Sequence, residues 1–318
     1  MSSPTPNVDI IISTFILSKK WNQLWLSVLT LDFDDQGSPN FLAFRHFVYL
    51  VMLMRDASLP IRSFLQRCDP YDINRFISVA VKRGIDNLTL DLSGTDDDFQ
   101  IRLDPIISTV FNCRNLVVLK LKSLKMYICP QLDFPLLKTL HLDKVYFYAF
   151  SGSRFNKLIE ACPILEQLQV TDLQFGSPIT TMDTYQQVYS CHNLIHIELT
   201  FIQLYQKKVK NLVELLQHCP KLQDLTLQKL YERQRDEHDW GEPQTVPKCL
   251  SSQLRTCSLI GYKGSNCELL FAEYILKNAK VLQTMKISTS SSVLHKKHHM
   301  LMKLSVFKGF FACKLLFD

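Results

Sequence analysis

Residues 222–227 read Leu-Gln-Asp-Leu-Thr-Leu, a phrase with apolar residues at its first, fourth and sixth positions. Leu225 and Leu227 are two residues apart, so their side chains point to the same face of a β-strand. Thr226 lies between them and points to the opposite face. The phrase therefore predicts a short strand with one apolar face and one polar face.

Eight instances of this phrase form a series along the chain. Its instances begin at Ile85, Leu116, Leu137, Leu165, Leu194, Leu222, Leu254 and Leu282. Their mean spacing of 28 residues lies within the range of about 20–29 residues that is typical of leucine-rich repeats. The chain is thus predicted to be built from one repeated structural unit.

Between the phrases, the apolar residues change to helical spacing. One such set is Val209, Leu212, Val213 and Leu216, and similar sets lie within 106–111, 155–159 and 270–275. Strand and helix therefore alternate, and we predict an α/β fold: a leucine-rich-repeat solenoid with a curved parallel sheet and helices on the convex face. Further strands are expected near 29–33, 61–67 and 313–317.

Four cysteines share one position in the repeat. Cys113, Cys162, Cys191 and Cys219 each lie three residues before the first apolar position of a phrase. This placement is typical of small buried packing residues at a repeat junction. A zinc site would need close pairs such as Cys-x-x-Cys, which the sequence lacks. We therefore expect inert thiols and no bound metal.

The composition argues against an enzyme. Only nine of the 318 residues are glycine, well below the usual share of about 7%, whereas phosphate-binding loops need glycine where the backbone approaches a ligand. The sequence also lacks G-x-S-x-G, H-E-x-x-H and G-x-x-x-x-G-K. We expect no catalytic residue and no cofactor.

The apolar segments predict neither a membrane span nor a secretory signal. The longest apolar run, residues 47–54, is far shorter than the roughly 20 residues that cross a bilayer. The apolar stretch at residues 10–17 is followed by Lys19 and Lys20, whereas a secretory signal carries its positive charge first. We expect no membrane partner and a cytoplasmic or nuclear location.

The polar face of the predicted sheet is the candidate binding surface. Its residues are Lys120, His141, Gln169, His196, Glu198, Asp224, Thr226, Ser258 and Lys286. Charges of both signs suit a protein or peptide substrate, whereas a polyanion would favour a single sign. Two other interpretations stay open: these residues only solvate the sheet, or the concave face holds a small molecule.

The basic C-terminal region supports an alternative function, the binding of nucleic acid or another anionic ligand. Residues 248–318 contain eleven basic and three acidic residues, a net charge of +8. The lysines considered are Lys277, Lys280, Lys286, Lys296, Lys297, Lys303, Lys308 and Lys314. They spread over predicted helix, strand and loop instead of one face, which makes nucleic acid an unlikely partner.

Both ends of the chain resemble one plant family. Residues 13–35, STFILSKKWNQLWLSVLTLDFDD, resemble the second half of the F-box in plant F-box proteins with leucine-rich repeats; the matching residues are Thr14, Leu17, Ser18, Lys19, Lys20, Trp21, Leu24 and Trp25. Residues 246–264, 269–287 and 313–318 look like the FBD domain of the same proteins. The resemblance divides the chain into a partial F-box at 1–27, leucine-rich repeats at 28–245 and an FBD domain at 246–318 that continues the solenoid.

The resemblance implies a protein-binding, substrate-receptor-like subunit of a Skp–cullin–F-box ubiquitin ligase. Its adaptor-binding residues would be Ile12, Phe15, Ile16, Leu17, Lys19 and Trp21. The first half of the family's F-box should precede Ile11, where this sequence has only MSSPTPNVDI. We therefore expect the Skp-type adaptor to bind at least about tenfold more weakly than to a complete F-box, a loss of about 1.4 kcal/mol, or not at all.

Overall fold

The computed structural model describes residues 29–34, 40–55, 58–67, 73–93, 109–126, 132–147, 153–171, 174–175, 191–201, 206–229, 245–262, 266–289, 302, 304 and 313–317. Their contacts form two compact units. The N-terminal unit comprises residues 1–137 and 144–149, and the C-terminal unit comprises residues 138–143 and 150–318. The two units are described separately.

The N-terminal unit alternates strands and helices. Its elements are β1 (Thr30–Asp34), α1 (Phe41–Met54), β2 (Ser63–Arg67), α2 (Ile73–Lys82), β3 (Asn87–Asp91) and β4 (Val118–Met126). Each strand pairs in parallel with the next, in the order β1-β2-β3-β4. Parallel neighbours require a crossover between them, and α1 and α2 supply two of these crossovers.

The C-terminal unit continues the same alternation. Its elements are β5 (Thr139–Phe147, of which residues 144–147 are grouped with the N-terminal unit), α3 (Ser153–Glu160), β6 (Gln167–Thr171), β7 (Gln174–Phe175), β8 (His196–Phe201), α4 (Gln206–Gln217), β9 (Asp224–Lys229), α5 (Lys248–Ser252), β10 (Thr256–Ile260), α6 (Asn266–Asn278), β11 (Thr284–Ser288) and β12 (Lys314–Phe317). The order β5-β6-β8-β9-β10-β11-β12 is parallel throughout.

These elements confirm the α/β leucine-rich-repeat prediction. All eight phrases fall on strands β3–β6 and β8–β11, and the three additional strands are β1, β2 and β12. The helical spacings at 155–159, 209–216 and 270–275 fall on α3, α4 and α6. Of the set at 106–111, Ile106 and Ile107 lie outside the described residues, while Val110 and Phe111 are helical and buried.

The apolar positions of the phrase form two continuous buried ladders in the C-terminal unit. One ladder joins Leu140, Leu168, Ile197, Leu225, Cys257 and Met285, and the other joins Leu142, Val170, Leu199, Leu227, Leu259 and Ile287. Leu225 is fully buried, as predicted. Because alternate residues point to opposite faces, burial of these ladders leaves the intervening residues on the other face.

A recurring hydrogen-bond arrangement fixes the register where the strands begin. The carbonyl of Ile195 accepts hydrogen bonds from the successive amides of Gln223 and Asp224, at 2.9 and 3.0 Å. The carbonyls of Lys138, Glu166, Gln223 and Arg255 do the same for the two amides at the start of the next strand. Each strand is therefore held at a fixed offset from its neighbour, and residues of successive repeats align in straight rows.

The four predicted junction cysteines are buried. Cys113, Cys162, Cys191 and Cys219 are each at most 5% exposed. Burial raises the pKa of the Cys162 thiol to about 12, so the reactive thiolate is rare at neutral pH. These observations confirm buried packing positions; the inertness of the thiols stays a prediction.

Candidate functional site

The candidate site is the polar face of the C-terminal sheet, which presents two aligned rows of side chains. Polar ladder 1 consists of His141, Gln169, Glu198, Thr226, Ser258 and Lys286, each on a neighbouring strand. Polar ladder 2 lies two residues earlier on each strand and consists of Thr139, Gln167, His196, Asp224, Thr256, Thr284 and Lys314. All thirteen residues are half-buried or exposed.

Eight of the nine predicted surface residues come together on this face. Six belong to polar ladder 1, and His196 and Asp224 belong to polar ladder 2. The ninth, Lys120, lies in the N-terminal unit, where it is in register with Thr89 of the neighbouring strand. All nine side chains are half-buried or exposed, and their role in binding stays a prediction.

A short polar contact between adjacent strands of this face joins His196 to Asp224. Imidazole Nδ1 of His196 lies 2.6 Å from Oδ2 of Asp224, and the two side chains are 48% and 35% exposed. The residues are direct register partners on β8 and β9. The pair therefore occupies one carboxylate of the face but leaves it accessible to solvent.

Hydroxyl groups fill the centre of the polar face. Thr226 and Ser258 lie side by side in polar ladder 1, and Thr256 and Thr284 do so in polar ladder 2. A hydroxyl can both donate and accept a hydrogen bond. This region can therefore engage either the amide hydrogens or the carbonyl oxygens of a bound backbone without imposing a charge.

Charge is sorted across the face. The acidic residues Glu198 and Asp224 lie on β8 and β9, whereas the basic residues Lys286 and Lys314 lie on β11 and β12. Sequence reasoning identified the first three but did not place Lys314 on this face. Its place in polar ladder 2 depends on the pairing of β12 with β11 across 25 intervening residues.

Helix α1 carries a second unusual surface that sequence reasoning missed. Leu42, Leu50 and Leu53 are 58%, 53% and 76% exposed, and together with exposed His46 their spacing places them along one side of the helix. The apolar run at 47–54 thus buries only one face, through residues such as Val48 and Val51.

The predicted adaptor-binding residues cannot be placed. Ile12, Phe15, Ile16, Leu17, Lys19 and Trp21 lie outside the described residues. The same holds for Lys296, Lys297, Lys303 and Lys308 of the basic region. Of the described lysines in that region, Lys277 forms an ion pair with Glu273 on α6 at 2.7 Å, while Lys286 lies on the sheet.

The described part of the chain shows neither a metal-binding cluster nor a membrane-spanning helix. In these residues, no group of three His, Cys, Asp or Glu side chains is arranged to hold a metal ion. No described helix is long and apolar enough to span a bilayer.

Comparisons with known proteins match both the repeats and the C-terminal region. The family model for the FBD domain matches residues 242–287. The family model for the leucine-rich repeats of FBD-associated F-box protein At5g56370 matches residues 73–183. Family similarity therefore extends over two separate parts of the chain, in the order expected from the sequence.

Individual relatives extend this similarity to nearly the whole chain. The F-box/FBD/LRR-repeat protein At4g26340 of Arabidopsis thaliana is 26% identical over 409 residues, covering 98% of this chain and 96% of that protein. The FBD-associated F-box protein At5g38590 of Arabidopsis thaliana is 34% identical over 169 residues, covering 51% of this chain and 39% of that protein.

Proposed function

We propose that this chain, which belongs to the plant family of FBD-associated F-box proteins with leucine-rich repeats and a C-terminal FBD domain, is a protein-binding, substrate-receptor-like subunit of a Skp–cullin–F-box ubiquitin ligase. The family implies the role of a receptor. The polar face of the C-terminal sheet is the observation that supports a protein substrate in particular.

The composition of the polar face supports this choice of substrate. Polar ladder 1 presents histidine, amide, carboxylate, hydroxyl and ammonium groups on six neighbouring strands. Such a mixture complements the varied side chains of a protein, whereas a nucleic acid backbone offers only negative charge. The acidic residues Glu198 and Asp224 would repel a polyanion from the middle of the face.

The proposal assigns no chemistry to this chain. The polar face contributes binding groups, and ubiquitin transfer belongs to other subunits of the ligase. A cytoplasmic or nuclear location follows from the proposed role, because the substrate and the adaptor must meet the receptor in the same compartment.

Adaptor binding is proposed for the N-terminal segment. Phe15 and Ile16 lie three and four residues after Ile12. In a helix these three apolar residues would therefore form one stripe that can be buried against a partner. Leu17, Lys19 and Trp21 complete the proposed adaptor contact.

Titration calorimetry of the full chain with a plant Skp-type adaptor tests the proposal. We expect measurable binding that is lost in the double variant Phe15→Asp, Ile16→Asp, since each carboxylate would be buried without a partner. The control Glu198→Gln, on the polar face, should bind the adaptor like the wild type. Absence of adaptor binding by the folded wild-type chain would refute the ligase-subunit role.

A further inference from the structure

The acidic and basic residues of the polar face occur in two equivalent series. Polar ladder 1 contains Glu198, Thr226, Ser258 and Lys286 on β8 to β11. Polar ladder 2 contains Asp224, Thr256, Thr284 and Lys314 on β9 to β12. In each series a carboxylate is followed by two hydroxyl residues and then by a lysine, so the two series are related by a shift of one strand.

The two charged ends of each series are well separated. Neighbouring strands lie about 4.8 Å apart, so three strand steps place the carboxylate and the lysine about 14 Å from each other. Side chains stand roughly perpendicular to a sheet, and the Debye length at physiological ionic strength is only about 8 Å. Each end therefore acts on a ligand as a separate charge, and the spacing between the ends becomes a recognition feature.

The acidic end suits one cation, and the basic end suits one anion. Glu198 and Asp224 are diagonal neighbours on adjacent strands, a geometry that places two side chains about 7–8 Å apart. Oδ2 of Asp224 already contacts His196, but a guanidinium offers five donors in a rigid fork and can reach Glu198 together with Oδ1 of Asp224. Lys286 and Lys314 have the same diagonal relation, so both ammonium groups can bind the same carboxylate of a ligand.

We propose that the polar face of the C-terminal sheet binds an extended peptide segment that carries a basic and an acidic side chain four positions apart. This inference rests on the proposed function, because it specifies the substrate class of the same surface. The basic side chain binds between Glu198 and Asp224, the acidic side chain binds between Lys286 and Lys314, and the peptide backbone between them contacts the hydroxyl residues.

The geometry of an extended chain explains the spacing of four. Such a chain advances about 3.3 Å per residue, so four residues span about 13 Å. Only even spacings place two side chains on the same face of the segment. A spacing of four therefore matches the separation of the charged ends, while a spacing of two falls short of it by about 7 Å and a spacing of six exceeds it by about 6 Å.

A helical ligand fits this surface less well. The two polar ladders are two residues apart along each strand, which makes the charged band about 7 Å wide. A helix with side chains is about 10–12 Å across and advances about 1.5 Å per residue, so it would need nine or ten residues between its charges. The band is thus matched to a single extended segment.

Fluorescence anisotropy of the full chain with labelled synthetic peptides tests this inference. Four peptides share a Gly/Ser/Thr background and differ only in their charged pair: Arg and Glu four apart, Arg and Glu two apart, two Arg four apart, and two Glu four apart. We expect the first peptide to bind at least about tenfold more tightly than each of the others. The proposed contacts fix the separation of the two charges but not the direction of the peptide chain. A peptide with Arg before Glu and one with Glu before Arg should therefore both bind.

Charge reversal then tests the assignment of the two ends. The double variant Glu198→Lys, Asp224→Lys should transfer the preference to the peptide with two Glu, and the double variant Lys286→Glu, Lys314→Glu should transfer it to the peptide with two Arg. Lys280→Glu is the matched control, since Lys280 is an exposed lysine that precedes β11 and lies off the polar ladders, and it should keep the wild-type ranking. Equal binding of all four peptides, or wild-type preference for two Glu, would overturn the inference.

These outcomes are separable from those of the adaptor titration. Adaptor binding without the expected peptide ranking would remove only the peptide inference. The expected ranking without adaptor binding would remove the ligase role and leave the peptide site in place.

Discussion

The ammonium Nζ of Lys122 lies 3.0 Å from carboxylate Oδ2 of Asp91, its register partner on the neighbouring strand of the N-terminal unit. The hydroxyl of Ser93 donates a further hydrogen bond to Oδ1 of Asp91 at 2.6 Å. Partial burial raises the pKa of Asp91, but the hydrogen bonds from Ser93 and Lys122 outweigh it and hold the pKa below its ordinary value. The folded state therefore favours the ionised carboxylate.

This arrangement predicts a specific acid sensitivity. A carboxyl group whose pKa is lowered by folding stabilises the protein fully above its ordinary pKa of 3.8, and that contribution is lost as the pH falls toward the lower folded value. In urea denaturation between about pH 3 and pH 7, the free energy of unfolding of Asp91→Asn should fall less steeply at the acid end than that of the wild type. Thr89→Ala on the same strand as Asp91 removes no titratable group, so it serves as the control and should retain the wild-type slope.

The alternation within the strand predicts contrasting effects at neighbouring positions. Leu225 is fully buried, so Leu225→Ala should lower the free energy of unfolding by about 2–5 kcal/mol through lost burial and a residual cavity. Thr226 lies on the polar face, and Thr226→Ala should change it by no more than about 0.5 kcal/mol. Similar losses for the two variants in chemical denaturation would contradict the assigned strand orientation.

The strands and their orientation were predictable because they depend on a local pattern. The two-residue spacing of Leu225 and Leu227 fixes which side chains share a face, whatever the rest of the chain does. The recurrence of the phrase then predicts parallel neighbours, since each unit can bury its apolar face only against the next. This logic also placed Glu198 and Lys286 on the polar face.

Features that depend on registration between distant segments were not predictable. The steps between phrases vary from 21 to 32 residues, and β12 follows β11 after 25 intervening residues, so the placement of Lys314 in the same ladder as Asp224 required the strand pairing. Cys249 is fully buried but precedes its phrase by five residues, not three. The short helix α5 shifts it out of the common spacing.

The buried thiols should resist modification in the native protein. Burial raises the pKa of Cys257 to about 12 and that of Cys249 to about 11, and it raises the pKa of Cys113 while nearby backbone amides oppose the shift. Mass spectrometry after alkylation near pH 8 should find Cys113, Cys162, Cys191 and Cys219 unmodified in native protein and modified in urea. Rapid native labelling of all four would contradict the packed junction.

The pair of His196 and Asp224 should contribute little to stability despite its short contact. Both side chains are more than a third exposed, and exposed pairs of this kind typically contribute about 0.2–1 kcal/mol. A double-mutant cycle with His196→Ala and Asp224→Ala should therefore give a coupling energy of no more than about 1 kcal/mol. A larger coupling energy would mean that the pair stabilises the pairing of β8 with β9. It would then argue against the availability of the Asp224 carboxylate to a ligand.

Two arginines meet where α1 ends. Arg55 is only 2% exposed, and its Nη2 donates a hydrogen bond to the carbonyl of Pro60 at 2.9 Å. Its Nε and Nη1 are buried without a hydrogen-bond partner among the described residues. Burial lowers the pKa of Arg55, and the nearby guanidinium of Arg83 lowers it further. Among the described residues, the Arg55 guanidinium is thus a buried charge that lacks full compensation.

Replacement of Arg55 by an apolar residue of similar length should therefore be tolerated. Arg55→Met removes a costly desolvated charge and its repulsion from Arg83. Because Pro60 is exposed, a water molecule can donate to its carbonyl in place of Arg55. Calorimetry should show a change in the free energy of unfolding of less than about 1 kcal/mol in either direction. Ile77→Ala in α2, where the side chain is fully buried, should cost about 2–5 kcal/mol under the same conditions. If Arg55→Met instead costs more than about 3 kcal/mol, as expected when a buried pair is broken, the guanidinium must be neutralised by a group outside the described residues.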